Sequence, residues 1–255
     1  MSRGTALITG ASSGIGEAFA RLFAAEGFDL VLTARREGKL QELAADLATT
    51  ANIVVLPGDL STTRGITTFC ESVSGQSLEI DVLVNNAGMM VEQEFADLTT
   101  EQIERTITLN ITAVTQLIHQ FLPEMKARKS GRILNVASVA AFQPVPGMDI
   151  YAATKAYVLS YTRALHSELK KSGVSVTALC PGFVETGFQE VAGMDLGALE
   201  LSGAVPAEKV AKTAVKAMRK GRREVIPGLL NKPIPYANRL IPISLNLAVV
   251  KRLMS

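Results

Sequence analysis

At 255 residues the chain is long enough for one α/β domain, or two small ones, with a substantial buried core. An apolar share of 47% beside a charged share of 20% excludes a disordered or fibrous class, and a net charge of +2 gives nucleic acid no electrostatic footprint. Two cysteines without a partner motif, Cys70 and Cys180, predict free thiols in a reducing compartment. The two histidines, His119 and His166, lie in no metal-ligand spacing, which argues against zinc hydrolysis and a Ser/His/Asp triad. A strand pattern from Thr5 leaves no secretory signal, and no run of about 18 apolar residues reads as membrane-spanning, so the expected location is cytoplasmic.

Thr5–Thr9 is a short apolar run of the kind found in a strand buried on both faces. It leads directly into Gly10-Ala11-Ser12-Ser13-Gly14-Ile15-Gly16 and a helical pattern through Phe19, Leu22 and Phe23. Strand, glycine-rich turn and helix together form a dinucleotide site. Gly10 permits the tight turn, Gly14 lets the backbone approach a pyrophosphate, and Gly16 allows close helix–strand packing. The helix N-terminus supplies unpaired N–H groups and partial positive charge for the phosphates, with Ser12 and Ser13 as further donors. The spacing is Gly-x-x-x-Gly-x-Gly and not Gly-x-Gly-x-x-Gly, so a glycine turn without a ligand is the plainer alternative.

A second strand at 29–34 ends at Arg35-Arg36. An acid there would bind the adenosine ribose hydroxyls, whereas an arginine accommodates a 2′-phosphate. Ala34 and Arg35 stand where the acid belongs, so NADP(H) is expected over NAD(H), against the alternative of a solvated basic pair. A helix over 37–49 and a third strand over 53–56 precede Asp59, which suits either the adenine amine or a helix cap with Ser61. The strand Val82–Val84 runs into Asn85-Asn86-Ala87-Gly88, fitted to close approach of a cofactor ribose or simply to a turn. A helix is predicted from Thr99 to about Lys126, with Asn110 in its middle. Its amide competes for backbone partners there, which marks a local distortion, a bound water or a plain exposed position.

A fifth strand, Arg132–Val136, delivers Ser138 at its end, and a helix is predicted from about Met148 to Ser172. Tyr151 and Lys155 share one face of that helix, so the ammonium sits beside the phenol and brings its pKa down towards the working range. The pair alone is also what a solvated helix face would carry. A sixth strand, Val174–Leu179, leads to Cys180-Pro181-Gly182-Phe183-Val184-Glu185-Thr186. Strands alternating with helices mean a doubly wound parallel sheet, with the functional groups beyond the strands' carboxyl ends. No linker or repeat divides residues 1–255, which are expected to form a single domain.

Thr9-Gly10-x-x-x-Gly14-Ile15-Gly16, Asn85-Asn86-Ala87-Gly88, Asn110, Ser138, Tyr151-x-x-x-Lys155 and Pro181-Gly182 occur in the order and spacing of the short-chain dehydrogenase/reductase family. The chain resembles its compact branch, over residues 5 to 186. The resemblance implies a single Rossmann domain with an about seven-stranded sheet and an NADP(H)-dependent oxidoreductase acting on a carbonyl or alcohol. Tyr151 would exchange the proton with the carbonyl oxygen and Ser138 would hold that oxygen. Lys155 would lower the tyrosine pKa and bind the nicotinamide ribose, and Asn110 would hold a water of the proton relay. Gly10, Ser12, Ser13, Gly14, Ile15, Gly16, Arg35 and Asp59 would line the cofactor, as would Asn86, Ala87, Gly88, Pro181, Gly182 and Val184, with Thr186 at the nicotinamide carboxamide. A homodimer or homotetramer through the helices bearing Asn110 and Tyr151 is implied as well.

The expected substrate wall is apolar, from Met89 and Met90, Phe142, Val145, Met148, Phe183 and Phe188, under a lid over residues 187–206. Several of these residues also read as ordinary core. An apolar wall favours a hydrophobic ketone or aldehyde over a charged sugar. From Gly228 to Ser255 the chain carries Lys232, Arg239, Lys251 and Arg252, many apolar residues and no acid. Packing over a partner subunit or the substrate pocket is expected of this segment in preference to lying on an anionic membrane. Oxidation of a secondary alcohol on the same fold, and a non-catalytic nucleotide sensor, are the other functions in view. Retention of Ser138, Tyr151 and Lys155 together speaks against the sensor.

Overall fold

The computed structural model describes residues 2–76, 78–185 and 204–247. Six strands follow the order read from the sequence: β1 (Thr5–Thr9), β2 (Asp29–Thr33), β3 (Ile53–Val55), β4 (Val82–Asn85), β5 (Gly131–Val136) and β6 (Val174–Leu179). The two-residue β7 (Val184–Glu185) and β8 (Val205–Pro206) pair with each other, and β9 (Glu224–Val225) adds a seventh strand to the main sheet. All neighbours in that sheet are parallel, in the order β3-β2-β1-β4-β5-β6-β9.

Period-2 geometry explains why the strands read as unbroken apolar runs. In β1, Ala6 and Ile8 pack against Phe19 and Phe23 of α1 (Gly14–Ala25), Leu40 of α2 (Glu37–Leu47) and Val210 of α7 (Ala207–Arg219). Leu7 faces the opposite layer, with Ile66 of α3 (Thr63–Gly75), Leu117 of α5 (Val114–Ala127) and Val158 of α6 (Asp149–Glu168). Both faces are therefore covered, as a parallel sheet with helical crossovers requires. β1 and β4 are neighbours at the centre, and the chain winds outward from them in opposite directions. The crevice at their carboxyl ends is where such a sheet receives a ligand.

Two helical expectations need correction. The helix read over 99–126 is three pieces: α4 (Thr100–Ile107), a π-helical turn (Thr108–Ala113) and α5. Its start is as expected, with a capping box in which Thr99 Oγ1 accepts from Gln102 N and Gln102 Oε1 accepts from Thr99 N. The tyrosine-bearing helix ends at Glu168 and tightens into a 3-10 turn, Leu169–Lys171. The helix α8 (Ile234–Leu240) follows Pro233, and residues 243–247 are helical again.

Candidate active site

Gly10 and Gly14 both take left-handed backbone, with φ of +67° and +58°, which a Cβ would strain. A Cβ on Gly16 would stand 2.1 Å from Gly10 O, so this glycine lets α1 fold onto the turn before it; the sequence had assigned it to helix–strand packing. Ser13 caps α1 without turning its hydroxyl back on the helix, which leaves the first-turn N–H groups for an anion. The guanidinium of Arg36 donates to Ser13 Oγ at 2.9 Å and Ser12 Oγ at 3.2 Å. The arginine that bonds the glycine turn is thus Arg36, although both arginines are exposed.

Thr9 ties the central strands together. Its hydroxyl accepts from Asn86 N (3.0 Å) and Ala87 N (2.9 Å) and donates to Val84 O (3.3 Å). The Asn86 amide donates to Thr9 O (2.9 Å) and Gly10 O (3.2 Å), so it braces the turn with the hydrogens that the sequence offered to a ribose. Asp59 is not the cap of α3, a place taken by Thr62; its carboxylate accepts from Ser61 N, Ser61 Oγ and, at 2.8 Å, Arg105 Nη2. Burial pushes its pKa up, and these partners outweigh burial to hold it below the usual carboxylate value.

Asn110 is fully buried inside the π-turn. Its Oδ1 accepts from Met89 N at 3.0 Å, and its Nδ2 donates to Met89 O (2.9 Å) and Thr154 Oγ1 (3.0 Å). Thr154 donates in turn to Tyr151 O at 2.7 Å, which fastens the turn to α6. The amide thus bonds the loop at Met89 and the helix α6 and not the backbone of its own turn, with both Nδ2 hydrogens engaged. A Cβ on Gly88 would come within 3.3 Å of both Asn110 Oδ1 and Lys155 Nζ. Lys155 Nζ donates to Val136 O at 2.9 Å and lies 5.6 Å from the centroid of the Tyr151 ring. Burial draws its pKa down to about 8.

Ser138 begins a 3-10 turn, Val139–Phe142, where its Oγ accepts from Ala140 N at 3.1 Å and also hydrogen-bonds Tyr151. Burial raises the Tyr151 pKa, and the Ser138 bond only partly opposes it. This runs opposite to the expected direction, because burial of the phenol disfavours its ionised form by more than Ser138 favours it. Pro181 O accepts from Val139 N at 2.9 Å and so fixes the turn after β6 against the Ser138 segment. A Cβ on Gly182 would meet the Asn231 side chain at 2.5 Å, and Val184 is buried in β7. Thr186, Phe188 and nearly all of the expected lid lie outside the described residues.

Met90, Val145, Met148 and Ala152 form a separate apolar cluster against Ala140 and Tyr151, which brings together three of the expected wall residues. Phe142 lies 5.6 Å from the Arg163 guanidinium and lines the cleft beside Val145, and Phe183 is exposed. A cleft of about 490 Å³ backs onto this cluster, lined by Val145 and Ala152, further round α6 by Ala153 and Ala156, and by Leu247 of the C-terminal segment. A buried chain beneath the site escaped the sequence reading: Asn85 Nδ2 donates to Asn135 Oδ1, and Asn135 Nδ2 donates to Thr162 Oγ1, both at 2.9 Å. An asparagine inside an apolar strand, as at Asn135, was its only sequence signal.

The model of the short chain dehydrogenase family matches residues 4–196. The chain belongs to that family. A short-chain dehydrogenase from Sphingobium yanoikuyae in complex with NADPH superposes with a TM-score of 0.82 at 38% identity, covering 89% of this chain and 88% of that one. A bulky-bulky ketone specific alcohol dehydrogenase from Comamonas testosteroni gives 0.79 at 30% identity, covering 94% of each chain. A Burkholderia phymatum short-chain dehydrogenase/reductase in complex with NAD gives 0.83 at 27%, covering 96% of each. The protein is therefore an NAD(P)(H)-dependent oxidoreductase acting on CH–OH or C=O groups. Its left-handed glycines, the open α1 N-terminus and the space at Gly88 that a Cβ would fill all fit a dinucleotide.

Proposed function

We infer that this dehydrogenase uses NADPH to reduce an apolar ketone or aldehyde, with Tyr151 as the general acid. The observation that carries the reading is the phenol itself. It is hydrogen-bonded to Ser138, has Lys155 on the same helical face, and packs against Met90, Val145 and Met148. A raised pKa keeps Tyr151 protonated at neutral pH, the state that donates to a carbonyl oxygen. Ser138 steadies that oxygen as negative charge develops on it. Lys155, held by Val136 O, faces the Gly88 side where a ribose would lie. When bound, the nicotinamide supplies the hydride. Gly10 to Gly16 would hold the pyrophosphate, and Arg36 over the two serine hydroxyls supports a 2′-phosphate, with Arg35 beside it. The apolar cluster supports an apolar substrate, and a ketone is what the Comamonas enzyme's description names.

The test is NADPH consumption across apolar ketones, aliphatic aldehydes, ketoacyl thioesters and charged sugars, with Tyr151→Phe as the blank. The expected result is turnover on the apolar carbonyls that vanishes in Tyr151→Phe while NADPH still binds. Wild-type-like turnover in that variant would sink the mechanism, and turnover confined to charged sugars would sink the substrate class.

A further inference from the structure

The segment after β9 is folded inside out. Asn231 stands against Gly182 and donates from Nδ2 to Pro227 O at 2.9 Å. Asn238 Nδ2 donates to Gln143 Oε1 at 2.8 Å, Asn246 Nδ2 donates to Asn238 Oδ1, and Leu247 turns in to line the cleft. The larger apolar residues face outward. Leu229 is 80% exposed, Leu240 85% and Tyr236 70%, and Leu230, Ile241, Ile243 and Leu245 are exposed beside them. Tyr236 and Leu240 lie about one turn apart on α8, while Asn238 between them points the other way, into the protein. Seven of the eleven exposed large hydrophobic residues among those described fall between Leu229 and Leu245, so this is a patch and not scattered surface. Residues 248–255, with Lys251 and Arg252, lie outside the described residues, and the patch does not include them.

Size and rigidity identify what covers the patch. At about 100 Å² of apolar surface for a fully exposed large side chain, these seven exposures amount to about 500 Å². One side of a stable protein interface covers about 800 Å², of which roughly 60% is apolar, so the two areas match. A two-fold contact is self-complementary, and a second copy therefore brings a patch of equal extent to meet this one. The polar bonds beneath already fix the backbone that presents the patch, which lowers the ordering cost of docking. The exposed Lys232 can stay in water at the rim, where interfaces keep their charges. A roof over the substrate pocket would instead turn the seven side chains inward. We propose that Leu229, Tyr236, Leu240 and Ile243 form a two-fold interface between two copies of the enzyme. This pairing uses elements other than α5 and α6, the helices through which the family resemblance implies association. It also braces the cleft, because Asn238 of α8 holds Gln143 and Leu247 stands in the same wall. The inference is independent of the substrate reading above.

The test is the solution mass of the full-length protein, by light scattering over a dilution series, for the wild type and for Tyr236→Ser with Leu240→Ser. The double variant is expected to have half the wild-type mass. That holds whether the wild type is a dimer or, paired through α5 and α6 as well, a tetramer. Leu240→Ser alone is expected to weaken the association by roughly tenfold or more, since each copy loses one large apolar side chain from the contact. Thermal unfolding reports on folding in every variant. If the double variant fails to fold, Leu229→Ser, at the other end of the patch, is expected to lower the mass in its place. The proposal is overturned by a wild type that stays monomeric at the highest concentration, or by folded variants whose mass equals the wild type's throughout the series. Equal masses, together with wild-type sedimentation on phosphatidylcholine–phosphatidylglycerol vesicles that the double variant loses, would overturn it and assign the patch to a lipid surface.

Discussion

Lys155→Met should change how stability responds to pH. Burial places the Lys155 pKa at about 8 in the folded enzyme, against 10.5 for an ordinary lysine. Below pH 8 both the folded and unfolded chains carry the proton, and the full cost of burying the ammonium is present. Between the two pKa values the unfolded chain binds more protons, so wild-type stability rises with pH, and above 10.5 the cost is gone. That interval corresponds to ~3 kcal/mol at about 1.4 kcal/mol per pH unit. Methionine has similar bulk and no charge, so the variant lacks this rise. Most other groups that titrate there belong to both proteins and cancel in the difference, but the buried Cys180 thiol, its pKa pushed up to about 12, feels the Lys155 charge and adds a smaller part to it. The absolute gain at neutral pH is smaller, because the hydrogen bond from Nζ to Val136 O is lost as well. The assay is urea unfolding of both proteins from neutral pH to 10.5, followed by far-ultraviolet circular dichroism because the chain has no tryptophan. A stability difference that stays constant across that range would refute the desolvation of Lys155.

Two further outcomes follow from the same contacts. Arg36→Ala should weaken NADPH binding by about 10- to 100-fold, the value of one or two charge-assisted hydrogen bonds, and leave NADH nearly unchanged. Equal losses of the two cofactors in a fluorescence titration would remove Arg36 from the phosphate, and the selective loss appearing only in Arg35→Ala would return that role to Arg35. Asn110→Ala strands Met89 N, Met89 O and the Thr154 hydroxyl, so a loss of about 3 kcal/mol is expected, or roughly 6–12 °C in Tm. An unchanged Tm by calorimetry would mean that the π-turn does not depend on this amide.

Local chemistry determined much of this protein from sequence alone. Strands buried on both faces must be continuously apolar, so β1, β2 and β4 were legible as runs, and the glycines at positions 10 and 14 marked backbone that no other residue adopts easily. The Tyr151 and Lys155 spacing likewise placed both groups on one face, because helical periodicity requires it. What tertiary structure decided are the long-range contacts. Which of two adjacent arginines turns towards Ser12 and Ser13 depends on how β2 ends beside the glycine turn, and neither residue type encodes it. The two-residue β9 becomes a strand only because β6 offers an edge, and Glu224 there meets Arg163 of α6 at 2.6 Å. The direction of the tyrosine shift was misjudged for the same reason. Spacing fixes who stands beside the phenol, whereas burial of the phenol, set by the whole fold, disfavours its ionised form and decides the direction of the shift.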